Sequence, residues 1–266
     1  MHEFSTIQLH ISAEHVASVW LDRPDKNNAF NALMLEELRQ AFDHISQRPG
    51  LRFMFLRGHG QHFSAGADLA WMQASARLSY AENLAEATRL SELMEQLQRL
   101  PLPTVAVVQG AAFAGAMGLV SCCDMAIGAD DALFSLSEVR LGLAPAVISP
   151  YVVQAIGSRA ARRYALSAER FDAVRARELG LLDEVYPRAE LERAVQAWQR
   201  RLLVNGPEAM RACKALLLAI GDGQVTAPRQ AQAQALIARL RTGAEGQEGM
   251  QAFFDKRAPA WAEVTP

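Results

Sequence analysis

Near the start of the chain, hydrophobic residues recur with two different spacings, which predict two strands separated by a helix. Short apolar runs at Val16–Leu21 and at 51–56 are typical of buried strands, and the residues at 22–25 predict a turn after the first run. Between the runs, the apolar side chains that share one helix face are Leu35, Leu38, Phe42 and Ile45. Asn31 precedes this pattern and is expected to cap the helix.

The alternation of strand and helix patterns continues to about residue 185 and predicts an α/β organisation. A second helical stripe, expected to lie in the core, consists of Leu90, Leu93, Met94, Leu97 and Leu100. Thr104–Val108 has the β-branched composition of a buried strand. The segment ARELGLLDEV predicts a helix that ends at Gly180 and is followed by a short strand.

Beyond Glu190 the chain becomes mostly helical, with long runs of Ala, Leu, Gln and Arg. We therefore divide it into a core at 1–195 and a C-terminal helical region at 196–266. Such a region is expected to cover an apolar surface, either its own or that of a neighbouring subunit. The basic segment at 158–163 is interpreted as a solvated helix face.

The stretch 103–150 combines a strand, a glycine-containing turn and the start of a helix, and it carries almost no charge before Asp124. Gly110, Gly115 and Gly118 lie among alanines here, so the backbone can approach another chain or a ligand closely. Free N–H groups at a helix N-terminus suit a developing negative charge. Tight helix packing explains the same glycines without any ligand, so the two interpretations stand side by side.

A second loop of small residues is HFSAGADL at 62–69. Gly66 permits a tight bend, and Ala65 and Ala67 keep the loop surface bare. Asp68 is expected to fix the loop or, more simply, to cap the next helix. His62 is a candidate proton carrier, but the structural interpretation is favoured for a single histidine at the start of a loop.

One carboxylate, Glu138, follows the second loop within FSLSEVRLGLAP. It is a candidate for proton transfer, and its alternative is a surface or capping role. Trp71 and Met72 begin a helical stretch after the first loop. We expect their side chains either to line a pocket or to lie in the core.

The composition excludes several classes of protein. The 266 residues are half hydrophobic with a formal charge of −2, which gives no electrostatic case for nucleic acid or an anionic membrane. The apolar stretch at 104–127 is a poor membrane span because Gln109, Ser121 and Asp124 interrupt it. Three cysteines without framework or zinc spacing, and an N-terminus unlike a secretion signal, lead us to expect a cytoplasmic protein.

Five motifs in order carry a resemblance to a known family: LDRPDKNNAF, FSAGADL, the 103–150 stretch, ARELGLLDEV and EGMQAFFDKR. With them the chain resembles the enoyl-CoA hydratase/isomerase (crotonase) family over nearly its whole length. The resemblance implies a spiral of ββα units with a C-terminal helical trimerisation region, often assembled as a dimer of trimers. It also implies a bent acyl-CoA substrate and no metal or redox cofactor.

The resemblance assigns roles to residues of both loops. The backbone N–H groups of Ala67 and Gly115 match those that bind the thioester oxygen, and an enolate places negative charge on that oxygen. Ala65 matches a position near the adenine of coenzyme A, and Asp68 belongs to the same substrate-binding loop.

Three further residues match positions that contact coenzyme A. Lys26 is placed for one of its phosphates. Phe253 and Lys256 match C-terminal residues that reach the coenzyme from the adjacent subunit.

Glu138 matches the second of two glutamates that the familiar hydratases use, whereas Gly118 stands at the position of the first. A single carboxylate therefore has to hold the water and return its proton, or the enzyme is a double-bond isomerase instead. Gly118 is also expected to leave room for a branched acyl group. Arg140 pairs with a distal carboxylate of the substrate, fixes Glu138 or, as the favoured alternative, forms a structural ion pair.

The stretches LSEVRLGLAPAVISPYVV, HFSAGADLAWM and GLVSCCDMAIGA resemble bacterial 3-methylglutaconyl-CoA hydratases of leucine breakdown. The alternatives are hydration of isohexenylglutaconyl-CoA in acyclic terpene breakdown and isomerisation. A catalytically inactive CoA-binding scaffold and an RNA-binding protein are the non-enzyme alternatives. RNA binding is disfavoured because the predicted helix at 31–47 has one arginine, no lysine and three acidic residues.

Overall fold

The structure is a computed structural model that describes residues 4–221 and 223–262. Residues 1–3, which are part of the N-terminus used to argue against a secretion signal, lie outside the described residues. Residue 222 and residues 263–266 of the C-terminal helical region also lie outside them.

Nine strands are described. In chain order they are β1 Ile7–Ile11, β2 Val16–Leu21, β3 Phe53–Gly58, β4 Thr104–Val108, β5 Ala111–Phe113, β6 Met125–Ala129, β7 Leu133–Ser135, β8 Phe171–Asp172 and β9 Glu184–Tyr186. The α-helices of the described residues are α1 Ala32–Gln47, α2 Leu69–Ser75, α3 Tyr80–Gln98, α4 Gly115–Cys122, α5 Ser149–Ser167, α6 Ala173–Leu179, α7 Leu191–Leu203, α8 Pro207–Ile220, α9 Ala227–Thr242 and α10 Ala244–Phe254.

The strands form two sheets. The larger has the order β1-β2-β3-β4-β6-β9, with β1 antiparallel to β2 and every other pair parallel. The smaller has the order β5-β7-β8. Because β4 leads directly into β5, the small sheet extends from the carboxyl end of the large one, where connecting loops of a parallel sheet gather.

Both faces of the large sheet are covered, as expected for parallel strands. Met54 and Leu56 of β3 face the main core with α1, α3 and α4, whereas Phe53 and Phe55 face α7. The apolar stripe of α7 on this second face consists of Leu191, Ala194, Val195, Trp198 and Leu202.

Most elements predicted from the hydrophobic pattern are confirmed. Asn31 caps α1 by accepting from the backbone N–H of Met34 at 2.9 Å. Gly180 ends α6 with φ of 84°, and β9 follows. The strand expected at 51–56 begins later, at Phe53. Within the described ranges, no helix is both long and apolar enough to span a membrane, and 104–127 folds into three strands and a short helix.

The predicted domain boundary at 195/196 is wrong, because it falls inside α7. That helix packs on the sheet and belongs to the core, so the separate helices begin with α8 at Pro207. An ion pair whose lysine is buried joins α8 to the sheet: Lys214 Nζ lies 2.8 Å from Asp124 Oδ2, which also accepts from the backbone N–H of Thr104.

Arg52, just before β3, ties the C-terminal part of the chain to the sheet. Its side chain is buried, at 6% exposure, and its guanidinium donates to three backbone carbonyls. The acceptors are Leu203 at 2.8 Å, Asn205 at 2.9 Å and Trp261 at 3.1 Å.

Candidate active site

The first small-residue loop pairs with the segment before α1. The backbone N–H of Phe30 donates to the carbonyl of Gly66 at 2.7 Å, and the carbonyl of Phe30 accepts from the N–H of Asp68 at 2.8 Å, which makes a parallel β-bridge between Phe30 and Ala67. In this parallel bridge the N–H of Ala67 points away from Phe30, and it donates to no protein acceptor within the described residues. Gly66 has φ of +98°, a conformation that favours glycine. The loop therefore presents one exposed, free backbone donor.

The second loop ends in a tight turn into α4. Ala114 has φ of 51° and ψ of −121°, so the chain reverses sharply and α4 starts at Gly115. As the first helical residue, Gly115 has no intrahelical acceptor for its N–H. A Cβ on Gly115 would lie 3.3 Å from the ring of Phe30, which leaves little room for a side chain there.

The two loops run side by side. All of the bonds are between backbone groups. The N–H of Ser64 donates to the carbonyl of Ala111 at 2.9 Å, and the carbonyl of Ser64 accepts from the N–H of Phe113 at 3.1 Å. The N–H of Phe63 donates to the carbonyl of Gln109 at 2.7 Å. This pairing confirms that the two loops meet. The pairing brings the loops that carry Ala67 and Gly115 together. Their two fixed N–H groups can then stabilise the negative charge that develops on a substrate oxygen.

Glu138 follows a strand that is bonded to the second loop. Ser135, at the end of β7, accepts from the N–H of Ala114 at 2.9 Å, and Glu138 begins a 3₁₀ turn three residues later. Its side chain is half-buried, and the buried Oε2 has no hydrogen-bond partner in the part of the chain that the structure describes. Burial raises the pKa of the Glu138 carboxyl. A half-buried carboxyl with a raised pKa is a candidate for proton transfer.

The expectation that Gly118 leaves room for a substrate branch is wrong. A Cβ on Gly118 would lie 2.3 Å from Cγ2 of Ile148 and 3.3 Å from Cε of Met94. The space beside this buried glycine is therefore filled by Ile148, a residue at 3% exposure that precedes α5. An apolar side chain occupies the place toward which a glutamate at 118 would point.

Asp68 is the N-cap of α2, which was its simpler interpretation. Its Oδ1 accepts from the N–H groups of Ala70 and Trp71, and its Oδ2 pairs with Arg23 at 2.9 Å. Both oxygens are thus used inside the protein, so its assignment as a substrate-binding residue is not supported.

Helix α2 follows directly and has no buried residue. Two hydrogen bonds connect α2 to α3. The carboxylate of Glu86 on α3 accepts from Trp71 Nε1 at 3.1 Å and from Ser75 Oγ at 2.6 Å. The ring of Trp71 is half-buried and packs against the main core.

Arg140 does not form the structural ion pair that was favoured for it; within the described part of the chain its guanidinium donates to the carbonyl of Ala168 at 2.8 Å. Within these described residues, the Arg140 guanidinium makes no hydrogen bond to Glu138. The bond to Ala168 anchors the turn that carries Glu138 to the end of α5.

The structure brings two of the coenzyme A candidates together. Lys26 is exposed in a 3₁₀ turn, and the next residue, Asn27, accepts from the N–H of Ala65 at 2.9 Å. Phe253 and Lys256 lie at the end of α10. Phe253 is 78% exposed, and its only ring contact among the described residues is with Phe254.

Several residues with a part in the site escaped the sequence interpretation. Asn28 is fully buried with φ of 53°, and its side chain donates to the carbonyls of His59 and His62, both at 2.8 Å. The KNN sequence was a usable signal, since asparagine tolerates this conformation. Ile148 carried no comparable signal. No group of three or more His, Cys, Asp or Glu that could hold a metal ion occurs among residues 4–221 and 223–262.

Comparisons with known proteins agree with this geometry. A family model described as enoyl-CoA hydratase/isomerase matches residues 12–264. An enoyl-CoA hydratase crystal structure from Shewanella pealeana superposes with a TM-score of 0.93 at 44% identity, covering 97% of both chains, which confirms the crotonase-like α/β fold.

Two curated relatives extend the comparison. A Thermus thermophilus protein that carries the name of an enoyl-CoA hydratase is 35% identical over 253 residues, 94% of this chain and 99% of that protein. A hydroxycinnamoyl-CoA hydratase-lyase from Pseudomonas fluorescens is 31% identical over 215 residues, 79% of this chain and 77% of its own. The chain therefore belongs to the enoyl-CoA hydratase/isomerase family and is an enzyme of the hydro-lyase type.

Proposed function

We propose that the enzyme adds water across the C2–C3 double bond of a 3-branched glutaconyl-CoA, with 3-methylglutaconyl-CoA as the first candidate. The observation that carries hydration is Glu138, whose buried Oε2 has no hydrogen-bond partner within residues 4–221 and 223–262. Glu138 follows β7, the strand that is bonded to the loop presenting the N–H of Gly115. The choice of a branched glutaconyl group is supported by the sequence around Glu138, which resembles hydratases for that substrate.

In the proposed reaction, the thioester oxygen accepts hydrogen bonds from the N–H groups of Ala67 and Gly115. Glu138 takes a proton from a water molecule as the water oxygen bonds to C3. The electron pair of the double bond moves toward the thioester, giving an enolate whose oxygen the two N–H groups stabilise. Glu138 then returns the proton to C2, so the product gains one water and the carboxylate is restored.

One carboxylate carries both proton transfers in this scheme, because Ile148 fills the space beside Gly118. The raised pKa of Glu138 makes the carboxylate a stronger base toward the water molecule. Binding of the distal carboxylate is assigned to Arg140, whose guanidinium has further donors beyond the one bonded to Ala168.

Coenzyme A contacts complete the proposal. Lys26 and Ala65 receive the phosphate and adenine parts, and Phe253 and Lys256 contribute from an adjacent subunit of a homotrimer or hexamer. A cytoplasmic location and the absence of any cofactor beyond the coenzyme A of the substrate belong to the same proposal.

Isomerisation is the second candidate, favoured by the same single carboxylate. With a 3-enoyl-CoA, Glu138 would remove a proton from C2 and return it to C4 through the same enolate. No water is consumed in that reaction, so the product mass equals the substrate mass.

The test mixes purified protein with 3-methylglutaconyl-CoA and, separately, with crotonyl-CoA, and follows the conjugated-thioester absorbance and the product mass. Rapid loss of absorbance with a gain of one water on the branched substrate alone is expected. Hydration of crotonyl-CoA at an equal or higher rate would overturn the substrate assignment, and preference for the isohexenyl analogue would replace it.

The same experiment distinguishes the alternatives in which the protein is not a hydratase. Absence of hydration with conversion of a 3-enoyl-CoA would establish the isomerase, and tight acyl-CoA binding without turnover would establish a scaffold. RNA binding has little support, because Arg39, the arginine of α1, is held in ion pairs with Glu36 and Asp43. A salt-sensitive shift of RNA by the protein would contradict that interpretation.

A further inference from the structure

His62 connects the two loops through its side chain. Its Nδ1 accepts from the backbone N–H of Ala111 at 3.0 Å, so the neutral imidazole carries its proton on Nε2. This bond lies at the start of the pairing between 62–64 and 109–113, which we call the loop seam. The remaining bonds of the loop seam described above are made by backbone groups alone.

The surroundings of His62 fix its position from both sides. The side chain of Asn28 donates to the carbonyl of His62 at 2.8 Å, which holds the backbone of the first loop. Opposite it, Gly110 has φ of +54°, and a Cβ there would lie 2.4 Å from His62 Nδ1 and 2.3 Å from the carbonyl oxygen of Gln61. The close approach of the loops therefore depends on glycine on one side and an acceptor on the other.

The loop seam leads directly to the two oxyanion donors. Ala67 follows the first side of the loop seam, and its free N–H is oriented by the bridge to Phe30. Gly115 follows the second side after the sharp turn at Ala114. A shift of one side of the loop seam against the other changes the distance between the N–H groups of Ala67 and Gly115.

We propose that His62 is a positioning residue whose Nδ1 acceptor sets the spacing of the two N–H groups that stabilise the enolate. This inference rests on the oxyanion role proposed for Ala67 and Gly115, and it is independent of which acyl group the enzyme prefers. His62 does not carry a proton in this role, because its Nδ1 is bonded to Ala111 within the loop seam.

Two substitutions separate the acceptor from the bulk of the side chain. In His62→Asn the amide oxygen can take the place of Nδ1, whereas His62→Leu fills similar space without an acceptor. His10→Leu is the matched control, since His10 lies on the exposed side of β1. Each variant is assayed for kcat and KM with the enoyl-CoA that the wild-type protein hydrates fastest.

The second readout is the infrared absorption of the thioester carbonyl of 3-methylbutanoyl-CoA labelled with ¹³C at that carbon. This saturated probe cannot be hydrated, so its carbonyl reports hydrogen bonding from the oxyanion donors even if the proposed substrate proves wrong. Hydrogen bonds from both donors shift the band to lower frequency on binding. A merely structural contribution of His62 to stability would leave the band of the bound probe unchanged.

Loss of one oxyanion donor typically lowers kcat about 100-fold or more, and a displaced donor should cost less. We expect kcat of His62→Leu to fall about tenfold with KM little changed and a smaller carbonyl shift. We expect His62→Asn and His10→Leu to stay within about threefold of the wild-type protein. Wild-type kcat and carbonyl shift in His62→Leu would overturn the proposal, as would equal defects in the Asn and Leu variants.

If His62→Leu does not fold, His62→Gln replaces it, because its amide lies one methylene farther out than that of asparagine. Asparagine should then retain the carbonyl shift and glutamine should lose much of it. Equal shifts in these two folded variants would also overturn the proposal.

Discussion

Replacing Gly118 by alanine should destabilise the protein, although alanine is normally the better helix former. The added Cβ would lie 2.3 Å from Cγ2 and 2.9 Å from Cβ of Ile148. Both atoms belong to the branched part of a buried side chain at the start of α5, so they cannot turn away as a flexible end would. Met94 Cε, at 3.3 Å, is such a flexible end and can move.

The expected magnitude follows from two opposing contributions. Overpacking of a well-packed core costs roughly 1–3 kcal/mol, and replacing glycine by alanine inside a helix contributes about 1 kcal/mol in return. The net loss of unfolding free energy for Gly118→Ala should therefore be about 1 kcal/mol, the middle of a range of roughly 0–2 kcal/mol. Ile148→Ala alone should cost about 2–5 kcal/mol, because it leaves a cavity.

In the Ile148→Ala background, the cost of alanine at 118 should be much smaller. Cγ2, the atom nearest the new Cβ, is gone and only the Cβ of residue 148 remains at 2.9 Å, so most of the helix gain of about 1 kcal/mol should be recovered. The double-mutant cycle should then give an interaction energy of about 1–2 kcal/mol between the two positions. Urea unfolding of the four proteins, followed by circular dichroism at one protein concentration, measures it.

Additive effects, within about 0.5 kcal/mol, would refute this explanation of Gly118.

Positions 118 and 148 also decide whether a second carboxylate can be introduced. Gly118→Glu alone should fail to fold or lose most of its stability, because it adds a buried charge to the same steric conflict. Ile148→Ala in combination should restore folding, and a stable Gly118→Glu single variant would contradict the assignment of this space to Ile148.

Further predictions concern three single side chains. Glu138→Gln should lower the hydration rate about 1,000-fold while acyl-CoA binding is kept, measured by absorbance and calorimetry. The same variant should be more stable than the wild-type protein at neutral pH, by thermal unfolding, and this gain should vanish as the pH falls below the ordinary glutamate range. Glu86→Ala should increase amide hydrogen exchange of Leu69–Ser75 about tenfold, because it removes two hydrogen bonds to a charged group. Lys214→Ala should cost about 1–3 kcal/mol in urea unfolding, because it removes a charge-assisted bond to Asp124 and leaves the carbonyl of Leu102 without this donor.

The sign of the Glu138 pH dependence follows from burial. Its folded-state pKa is raised, so the stability present below the unfolded-state pKa is lost as the pH rises through the folded-state pKa. A stability difference between Glu138→Gln and wild type that does not change with pH would contradict this linkage. Full turnover by the variant would contradict its catalytic role.

The other two predictions have equally direct contrary results. Unchanged exchange of α2 in Glu86→Ala would show that Trp71 packing alone holds the helix. For the ion pair, Asp124→Asn combined with Lys214→Met should cost less than Lys214→Ala, and the reverse order would show that burial of the lysine stem dominates.

Local patterns were sufficient to predict much of the fold. The alternation of apolar residues placed β2, α1 and β4, because each element buries one face or lies wholly inside the core. Short strands such as β5 and β7 were missed, because three residues are too few to show a period. The domain boundary failed because α7 looks like the later helices in composition, while its burial depends on a sheet built from distant segments.

The site was predictable where chemistry is local and unpredictable where it depends on packing. The loops around Ala67 and Gly115 were identified from small residues, and their pairing is confirmed. The filling of the space beside Gly118 was not, because Ile148 is distant in sequence and is itself an ordinary apolar residue. The bond from Ala111 to His62 escaped notice for the same reason, since no spacing rule connects a loop histidine to a backbone N–H of another loop.

Arg52 also has a consequence for the order of events during protein synthesis. Its guanidinium leaves the ribosome long before Leu203, Asn205 and Trp261, whose carbonyls hold it in the finished protein. Until they emerge, burying this end of β3 would enclose a charge without acceptors, which is unfavourable. Nascent chains stalled before Trp261 should therefore remain sensitive to protease around β3, and early resistance would contradict this. By this argument, the newly made sheet stays open to chaperones until the segment that contains Trp261 has emerged.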